Sequence, residues 1–530
     1  MNQIVPPPKI ELIPETAPFS PEQRAWLNGF FAGIVSLDGV GVTPLPGEQG
    51  AAMMGADGDD GAAPWHDQTI PLTERLKLAE GRPLRRRMMA AMAQQDCGQC
   101  GYNCNDYAEA LFAGKEVRLN LCSPGGKDTA RALKVLAEER DKTPSATPAV
   151  AAAPAATPAE PGRSRDNPVN AVFLSRRRLN REGSEKDTWH IEFDLSASGL
   201  DYVPGDSFGV FARNESGVVD QIIAMLGASH ITDVRGKPLR DVLRDDVSLA
   251  PVPDSLFELF SFLTGGALRE KARALAQGDD PDGDAARLDV LAALQKFSGV
   301  RPHPEAFVEA LEPLQPRLYS ISSSPAATPG RLSLTVDAVR YVVGKRKRLG
   351  VASTFLADRI QPGETLPVYV QKAHGFGLPL DARTPVIMIG PGTGIAPFRA
   401  FLHDRAATHA PGRNWLFFGH QRSDYDFFYA DELKTLKESG VLTRLSLAWS
   451  RDGAEKFYVQ DRMREVGREL WAWLADGAHV YVCGDAKRMA KDVERALVDI
   501  VAQHGMRTTD EAIAFVGDLK RKQRFQLDVY

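Results

Sequence analysis

The chain has 530 residues, of which 43% are hydrophobic and 25% charged, with 64 basic against 69 acidic side chains and a net charge of -5. That length exceeds what one hydrophobic core organises and implies about three or four domains. The charge balance gives no reason to expect nucleic acid or an anionic membrane as partner, and no apolar run approaches the roughly 18 residues of a membrane span.

The N-terminal Met-Asn-Gln-Ile-Val-Pro-Pro-Pro has neither a basic nor an apolar targeting region, so a soluble, cytoplasmic protein is expected. Residues 1-90 carry no readable role beyond one helix. Ser20-Pro21-Glu22-Gln23 forms a capping box with proline at the first helical position, and Trp26, Leu27, Phe30, Phe31 and Ile34 then repeat on one face. That face either packs within its own domain or docks a partner subunit. From Gly47 to Ala63 the composition of Gly, Ala and Asp predicts a loop.

Five cysteines without a secretory signal argue against a disulfide framework. Four of them stand at Cys97, Cys100, Cys104 and Cys122, spaced C-x2-C-x3-C-x17-C among glycines that permit tight wrapping. Four thiolates in that pattern, within a segment set at 91-142, fit a cuboidal iron-sulfur cluster, with a structural zinc site as the alternative. Residues 143-167 are almost entirely Pro, Ala, Thr and small polar residues, which predicts an extended interdomain linker. About 25 such residues reach on the order of 75 Å.

Alternation of apolar and polar residues from Val172 to Val210, as in His190-Ile191-Glu192-Phe193-Asp194-Leu195, predicts antiparallel strands. A helical period takes over from about 214 to 312, and strand character returns at Arg317. The economical reading is a β-barrel over 168-382 with a helical insertion. From 383 to 530, short apolar strands (Val386-Ile387-Met388-Ile389, Trp415-Leu416-Phe417-Phe418, Val480-Tyr481-Val482) alternate with helices, the pattern of a parallel α/β sheet. The fold class expected is therefore multi-domain: an antiparallel barrel, a parallel α/β domain and a small helical cysteine domain.

The chemistry lies in short segments that follow one another in order. In Arg317-Leu318-Tyr319-Ser320 the guanidinium can clamp phosphate, the phenol can lie against a flavin, and the hydroxyl can reach the flavin's reactive nitrogen. Gly350-Val351-Ala352-Ser353 precedes a helical stretch and suits a pyrophosphate. The loop Gly390 to Pro397, with Gly392 and Thr393, joins an apolar strand to a helix and lets a dinucleotide lie close, although it is not the G-x-G-x-x-G fingerprint. No acidic ribose ligand ends the next strand. Instead Ser450-Arg451 and Lys456-Phe457-Tyr458-Val459-Gln460 offer two cations with hydroxyl and amide donors, which suits the 2′-phosphate of NADPH, with Asp452 beside them. Cys483 ends a buried strand at the edge where such sheets bind ligands, and Tyr530, the final residue, is an aromatic that stacking on isoalloxazine would explain.

In this ordered set, residues 168-530 resemble the FAD/NADPH half of the diflavin reductases, most closely the flavoprotein component of NADPH-dependent assimilatory sulfite reductase. The resemblance implies FAD contacts at Arg317 to Ser320, at Thr335, Val336, Asp337 and Tyr341, at Gly350 to Ser353 and at Tyr530. It implies NADP contacts at Ser450, Arg451, Lys456 to Gln460 and Asp492. Ser320, Cys483 and Asp528 match the polar trio that tunes hydride transfer in that family, and the helical insertion matches its connecting domain. Where those reductases begin with a flavodoxin-like FMN domain of roughly 150 residues, the four-cysteine stretch stands, and it resembles the small 4Fe-4S domain of corrinoid-protein subunits and redox complexes. A reductase is thus expected that passes electrons from NADPH through FAD and a 4Fe-4S cluster to a hemoprotein, foremost sulfite reductase. Assimilatory nitrate or nitrite reductase is the alternative acceptor, and a redox-sensing or partner-recruiting subunit the alternative class.

Overall fold

The computed structural model describes residues 63-68, 70-95, 100-142, 160-280, 282-373 and 375-530. The helical face from Trp26 to Ile34, the loop expected at 47-62, Cys97 and the linker stretch 143-159 lie outside the described residues. The chain divides into two compact units, 1-62 with 81-83 and 63-80 with 84-530, and the elements below belong to the second.

Four helices come first among the described residues: α1 (Leu72–Leu78), α2 (Leu84–Ala91), α3 (Cys104–Phe112) and α4 (Gly126–Lys142). They close over Met88, Met89, Tyr107, Leu111, Leu133 and Leu136. Asn103 starts α3 by accepting from the Asp106 N–H at 2.7 Å, which satisfies one of the orphan donors at a helix start. Buried Arg75 ties α1 to α2 by donating to the Ala90 carbonyl at 3.1 Å.

Strands β1 (Val169–Arg178), β2 (Thr188–Asp194) and β3 (Ser207–Val210) follow, as the alternation predicted. Between β3 and the next long strand the chain is largely helical, apart from a two-residue hairpin, β4 (Asp233–Val234) with β5 (Lys237–Pro238). Its helices, including Ser216–Leu226, Asp254–Leu263, Gly266–Gln277 and Val290–Lys296, bury a core of their own around Ile222, Phe257, Phe260, Phe297 and Phe307. Then come β6 (Arg317–Ser320), β7 (Arg331–Asp337), the exposed hairpin β8 (Arg340–Val343) with β9 (Arg346–Leu349), and β10 (Thr365–Gln371). Six of these strands form one antiparallel sheet in the order β6-β3-β10-β1-β2-β7. Its two outer strands meet just past Ser320, where Ile321 bridges Leu334 and the Ser322 N–H donates to the Ser333 carbonyl at 2.7 Å.

The parallel sheet contains β11 (Val386–Ile389), β12 (Asn414–His420), β13 (Arg444–Trp449), β14 (His479–Gly484) and β15 (Phe525–Val529), in the order β13-β12-β11-β14-β15. All four residues of β11 are buried, as expected of a parallel strand covered by helices on both faces. The helix predicted from Pro397 begins at Ala396 after a 3-10 turn, Gly392–Ile395, and the one predicted from Ala486 begins at Met489.

Arg399, on helix Ala396–Ala407, joins the two sheets. It donates to the Ser322 carbonyl at 2.7 Å and to Ser333 Oγ at 3.2 Å, and it grips Glu432 through two bonds of 2.7 and 2.8 Å. Its guanidinium lies 4.9 Å from the Tyr429 ring, and the Tyr429 hydroxyl in turn meets His190 Nδ1 at 3.1 Å and Thr335 Oγ1 at 2.7 Å. Burial works against the Glu432 carboxylate, but hydrogen bonds from His403 and Arg399 outweigh it and hold the group down at about 2. Burial, followed by the Arg399 charge, pushes the His190 imidazole down to about 4.

These shifts fix a pH dependence. His190 takes up a proton near 6.5 when unfolded but only near 4 when folded, so the folded state loses stability as pH falls through that window. Glu432 contributes stability above its ordinary 4.5 that is lost as pH falls toward 2. Circular-dichroism melts between pH 7 and pH 4 should show a falling midpoint, and His190→Gln should make the slope shallower between about pH 6.5 and 4.5. An unchanged slope in that variant would remove His190 from the explanation.

Candidate functional site

The strand order places β11 between β12 and β14, so the connections leaving its end and that of β14 diverge and open a crevice beyond the carboxyl ends of the strands. The loop after β11 crosses the end of β14 so closely that a Cβ on Gly394 would sit 2.1 Å from the Cys483 carbonyl oxygen. Only glycine allows that approach. The crevice is a cleft of about 330 Å3, lined on one side by Lys186, Thr188 and Asp337 of the antiparallel sheet, on the other by Gly392, Thr393 and Gly484, with Tyr530 across it.

Three strands deliver the polar trio to one place. β6 ends in Ser320, and β15 pairs with β14 so that Asp528 stands opposite Cys483. The Ser320 hydroxyl donates to Asp528 Oδ2 at 2.5 Å and the Cys483 thiol approaches the same oxygen at 3.4 Å. Burial raises the Asp528 carboxyl above the ordinary range even though both neighbours donate to it. Burial and the adjacent Asp528 push the Cys483 thiol well up, so it stands as a thiol at neutral pH. The trio is thus one hydrogen-bonded group of hydroxyl, thiol and carboxyl, with Gly484, next to Cys483, lining the cleft.

Tyr530 is anchored. Its N–H donates to the Gly484 carbonyl at 3.0 Å, its carbonyl accepts from Ala486 at 3.2 Å, and its hydroxyl meets Thr393 Oγ1 at 2.7 Å, while the ring remains 56% exposed. Arg317 is exposed and forms no ion pair among the described residues; Leu318 and Tyr319 beside it are half-buried. Tyr341 is 53% exposed on the β8-β9 hairpin, and Asp337 faces the cleft while accepting from Thr188 Oγ1 at 3.1 Å. Thr335 and Val336 lie on β7, which faces β2 in the antiparallel sheet. Both are buried, and the Thr335 hydroxyl is engaged by Tyr429. Gly350 caps a short helix, Val351–Thr354, in which Val351 is half-buried and Ala352 and Ser353 are buried, and Ser353 Oγ accepts from the Val339 N–H at 3.1 Å.

At the end of β13, Ser450 and Arg451 are held by backbone donation to the His420 and Gln421 carbonyls at 2.9 and 2.8 Å. The Arg451 side chain reaches Glu185 at 2.5 Å, an exposed pair of the weakly stabilising kind. Lys456 is exposed, and Tyr458 is the exposed N-cap of helix Val459–Glu465. Phe457 lies under the Arg462 guanidinium at 4.7 Å, Val459 is buried in the core, and Gln460 is half-buried. Asp492 sits in the first turn of helix Met489–His504, 3.8 Å from Arg495. Asp452, the acidic neighbour in this sequence stretch, turns to accept from the Ser423 N–H at 3.1 Å.

Cys100, Cys104 and Cys122 line one small pocket together with Tyr102, Leu121 and Pro124. Cys97 lies outside the described residues, and among those described no group of three or more ligating side chains is close enough to hold a metal. A pocket walled by three thiols nonetheless suits a thiolate-bound group. Sequence reasoning missed Lys186 and Thr188, from the β1-β2 turn and the start of β2, and His420, at the end of β12, since nothing local marks them as walls of a site formed by distant strands.

Three families match this chain: "FAD binding domain" at residues 161-264 and 284-355, "Oxidoreductase NAD-binding domain" at 388-495, and "Putative Fe-S cluster" at 93-124. The chain is 45% identical over 378 residues to the sulfite reductase [NADPH] flavoprotein alpha-component of Escherichia coli strain HS, covering 69% of this chain and 61% of that protein. It is 44% identical over 368 residues to the alpha-component from Photorhabdus laumondii, covering 68% of this chain and 61% of the relative. It thus spans about three fifths of the length of these relatives. By these matches the chain carries an FAD-binding, an NAD-binding and an iron-sulfur family segment, and over 69% of its length it is homologous to the flavoprotein alpha-components of NADPH sulfite reductases.

Proposed function

We propose that the chain is an NADPH-dependent FAD and iron-sulfur reductase that passes electrons to the hemoprotein of sulfite reductase. The observation that carries the reading is the convergence of Ser320, Cys483 and Asp528 from both sheets, with Gly484 and Tyr530, next to Cys483 and two past Asp528, lining the cleft. The antiparallel sheet is read as a barrel closed by the Ile321 to Leu334 bridge, and 91-142 as the cluster domain. The relatives, all named as sulfite reductase flavoproteins, favour sulfite as the terminal substrate.

A flavin between nicotinamide and hemoprotein supplies the conversion of a two-electron hydride into single electrons. The chain's residues divide the work of placing it. Arg317, which has no ion pair to break among the described residues, is available to a pyrophosphate, and Tyr319, Tyr341 and Tyr530 present aromatic surface to ring systems. Gly392 and Thr393 admit the nicotinamide end of the dinucleotide, while Ser450, Arg451 and Lys456 meet the 2′-phosphate once Arg451 exchanges Glu185 for it. Asp528, its carboxyl raised by burial, accepts from the Ser320 hydroxyl, a contact along which a proton can pass toward the reacting edge. Cys97, Cys100, Cys104 and Cys122 would hold the cluster.

Three outcomes test this. Cys100→Ser should leave NADPH oxidation by ferricyanide intact and abolish sulfide formation when the hemoprotein is supplied; full sulfide turnover would remove the cluster from the path. Asp528→Asn should slow flavin bleaching by NADPH by about a hundredfold in stopped flow at unchanged FAD content, the range of one positioned proton-transfer group. Arg451→Gln should raise the KM for NADPH by about tenfold, the worth of one charge-assisted bond, and leave NADH turnover unaffected. Equal effects on both nucleotides would place Arg451 away from the 2′-phosphate.

A further inference from the structure

Two sets of contacts seat the cysteine-bearing helices on the flavin half. The first begins at the turn just before β1, which is fixed to the antiparallel sheet: the Val370 N–H donates to the Gly162 carbonyl at 2.8 Å, and Gly162 donates to the Asn167 carbonyl at 2.6 Å. From this rigid turn Arg165 extends with only 11% of its side chain exposed. Its NH1 donates to Gln315 Oε1 at 2.6 Å, and its Cδ lies 3.5 Å from where a Cβ on Gly101 would stand. Gly101 adjoins Cys100, and Gln315 is two residues ahead of Arg317, at the start of the strand that ends in Ser320. One side chain therefore spans the cysteine loop and the root of the strand that reaches the cleft.

The second set lies on α4. Arg131 holds Asp254 through two bonds of 3.1 and 3.2 Å, and Lys127 joins the same carboxylate at 3.4 Å while its ammonium stands 5.8 Å from the Phe257 ring. Asp254 opens helix Asp254–Leu263 of the insertion, and a Cβ on Gly278, at the end of the next helix, would come within 3.0 Å of the Arg131 guanidinium carbon. The absence of a side chain at Gly278 lets that guanidinium lie against the helix end. Two cations on one partly exposed carboxylate make a contact that salt weakens, because the screening length falls from about 10 Å at 0.1 M to about 3 Å at 1 M.

We propose that this seated arrangement is the one in which the cluster receives electrons from the flavin, with Arg165 as a positioning residue and the Asp254 ion pairs as a latch that salt releases. The proposal rests on the reading that flavin and cluster form one internal chain. In the step it governs, one electron leaves the reduced flavin and one enters the cluster, and no bond is made or broken. Arg165 sets where Cys100 stands relative to β6, and the latch sets how often it stands there.

The test uses the full-length holoprotein, reduced anaerobically by NADPH in stopped flow, with flavin bleaching and cluster bleaching followed separately and the radius of gyration measured by small-angle scattering. Raising salt from about 50 mM to about 500 mM should slow cluster reduction severalfold while flavin reduction holds its rate. Asp254→Lys, with FAD and iron contents unchanged, should slow cluster reduction about tenfold at low salt, reverse its salt dependence because salt now screens a repulsion, and enlarge the radius of gyration. Adding Arg131→Asp and Lys127→Asp to that variant should restore both readouts. Arg165→Gln should slow cluster reduction at every salt concentration while keeping the salt dependence. Normal cluster reduction in Asp254→Lys, or a defect that the charge swap does not repair, would overturn the latch. A native cluster that NADPH never reduces would overturn the internal chain itself, and the latch with it.

Discussion

Arg399 sets the relation on which the rest of the site depends. Its guanidinium leaves a helix of the parallel sheet and bonds to Ser322 and Ser333, on the two outer strands of the antiparallel sheet and its continuation. A cation so enclosed is costly unless every donor direction is used and a counter-charge is at hand. Glu432 provides the counter-charge through two parallel bonds, and the Tyr429 ring covers the guanidinium face. Adjacent contacts extend the same seam: Ser324 donates to Asp404 at 2.7 Å, and Ser323 accepts from the Ser333 N–H at 2.8 Å while meeting the Tyr202 hydroxyl at 2.7 Å. Residues 322 to 324 are thus pinned from both sides, and Ser320 just before them inherits that position.

The trio needs this rigidity because its members come from three strands of two sheets. Ser320 belongs to one sheet, Cys483 and Asp528 to the other, and a displacement of about 1 Å between the sheets would break the bond from Ser320 to Asp528. The register of β15 against β14 fixes the other two, and Tyr530 follows as the next residue but one after Asp528, carried onto the cleft by its bond to Gly484. The C-terminal segment is therefore strand, proton site and aromatic wall in succession. The seam also explains why the buried histidine matters to folding: His190 can bond Tyr429 only in a site too poor in water to accept its charge.

What the sequence made legible follows from how local each signal is. The run Val386-Ile387-Met388-Ile389 reads as a short apolar strand and is buried throughout, and the loop glycines, which suit a close-lying dinucleotide, include Gly394, whose missing side chain admits the Cys483 carbonyl. Tyr530 required a reason to be ordered and has one in its bonds to Gly484 and Thr393. Arg399 was not legible, since a charged residue in a helix reads as solvated unless its distant partners are known. The bond between the Thr335 hydroxyl and Tyr429, far along the chain and in a left-handed backbone conformation at φ 55, was not legible either. Asp452, adjacent to two cations in sequence, faces Ser423 instead. In each case proximity along the chain gave the composition of a site and not the direction in which a side chain turns.

The two seams differ in kind, and the difference matches the steps proposed for them. Hydride transfer tolerates little variation in distance, and the seam proposed to frame it is built from the four bonds of a largely enclosed Arg399 that salt reaches little. The seat of the cysteine-bearing helices is built instead from partly exposed pairs on Asp254 and one bond from Arg165 to a neutral amide. Such contacts hold a preferred position without making departure slow. A carrier that must accept an electron at one surface and surrender it at another requires just that balance. A contact as strong as the Arg399 seam would favour the first exchange and obstruct the second, whereas no contact at all would leave the first to chance encounter.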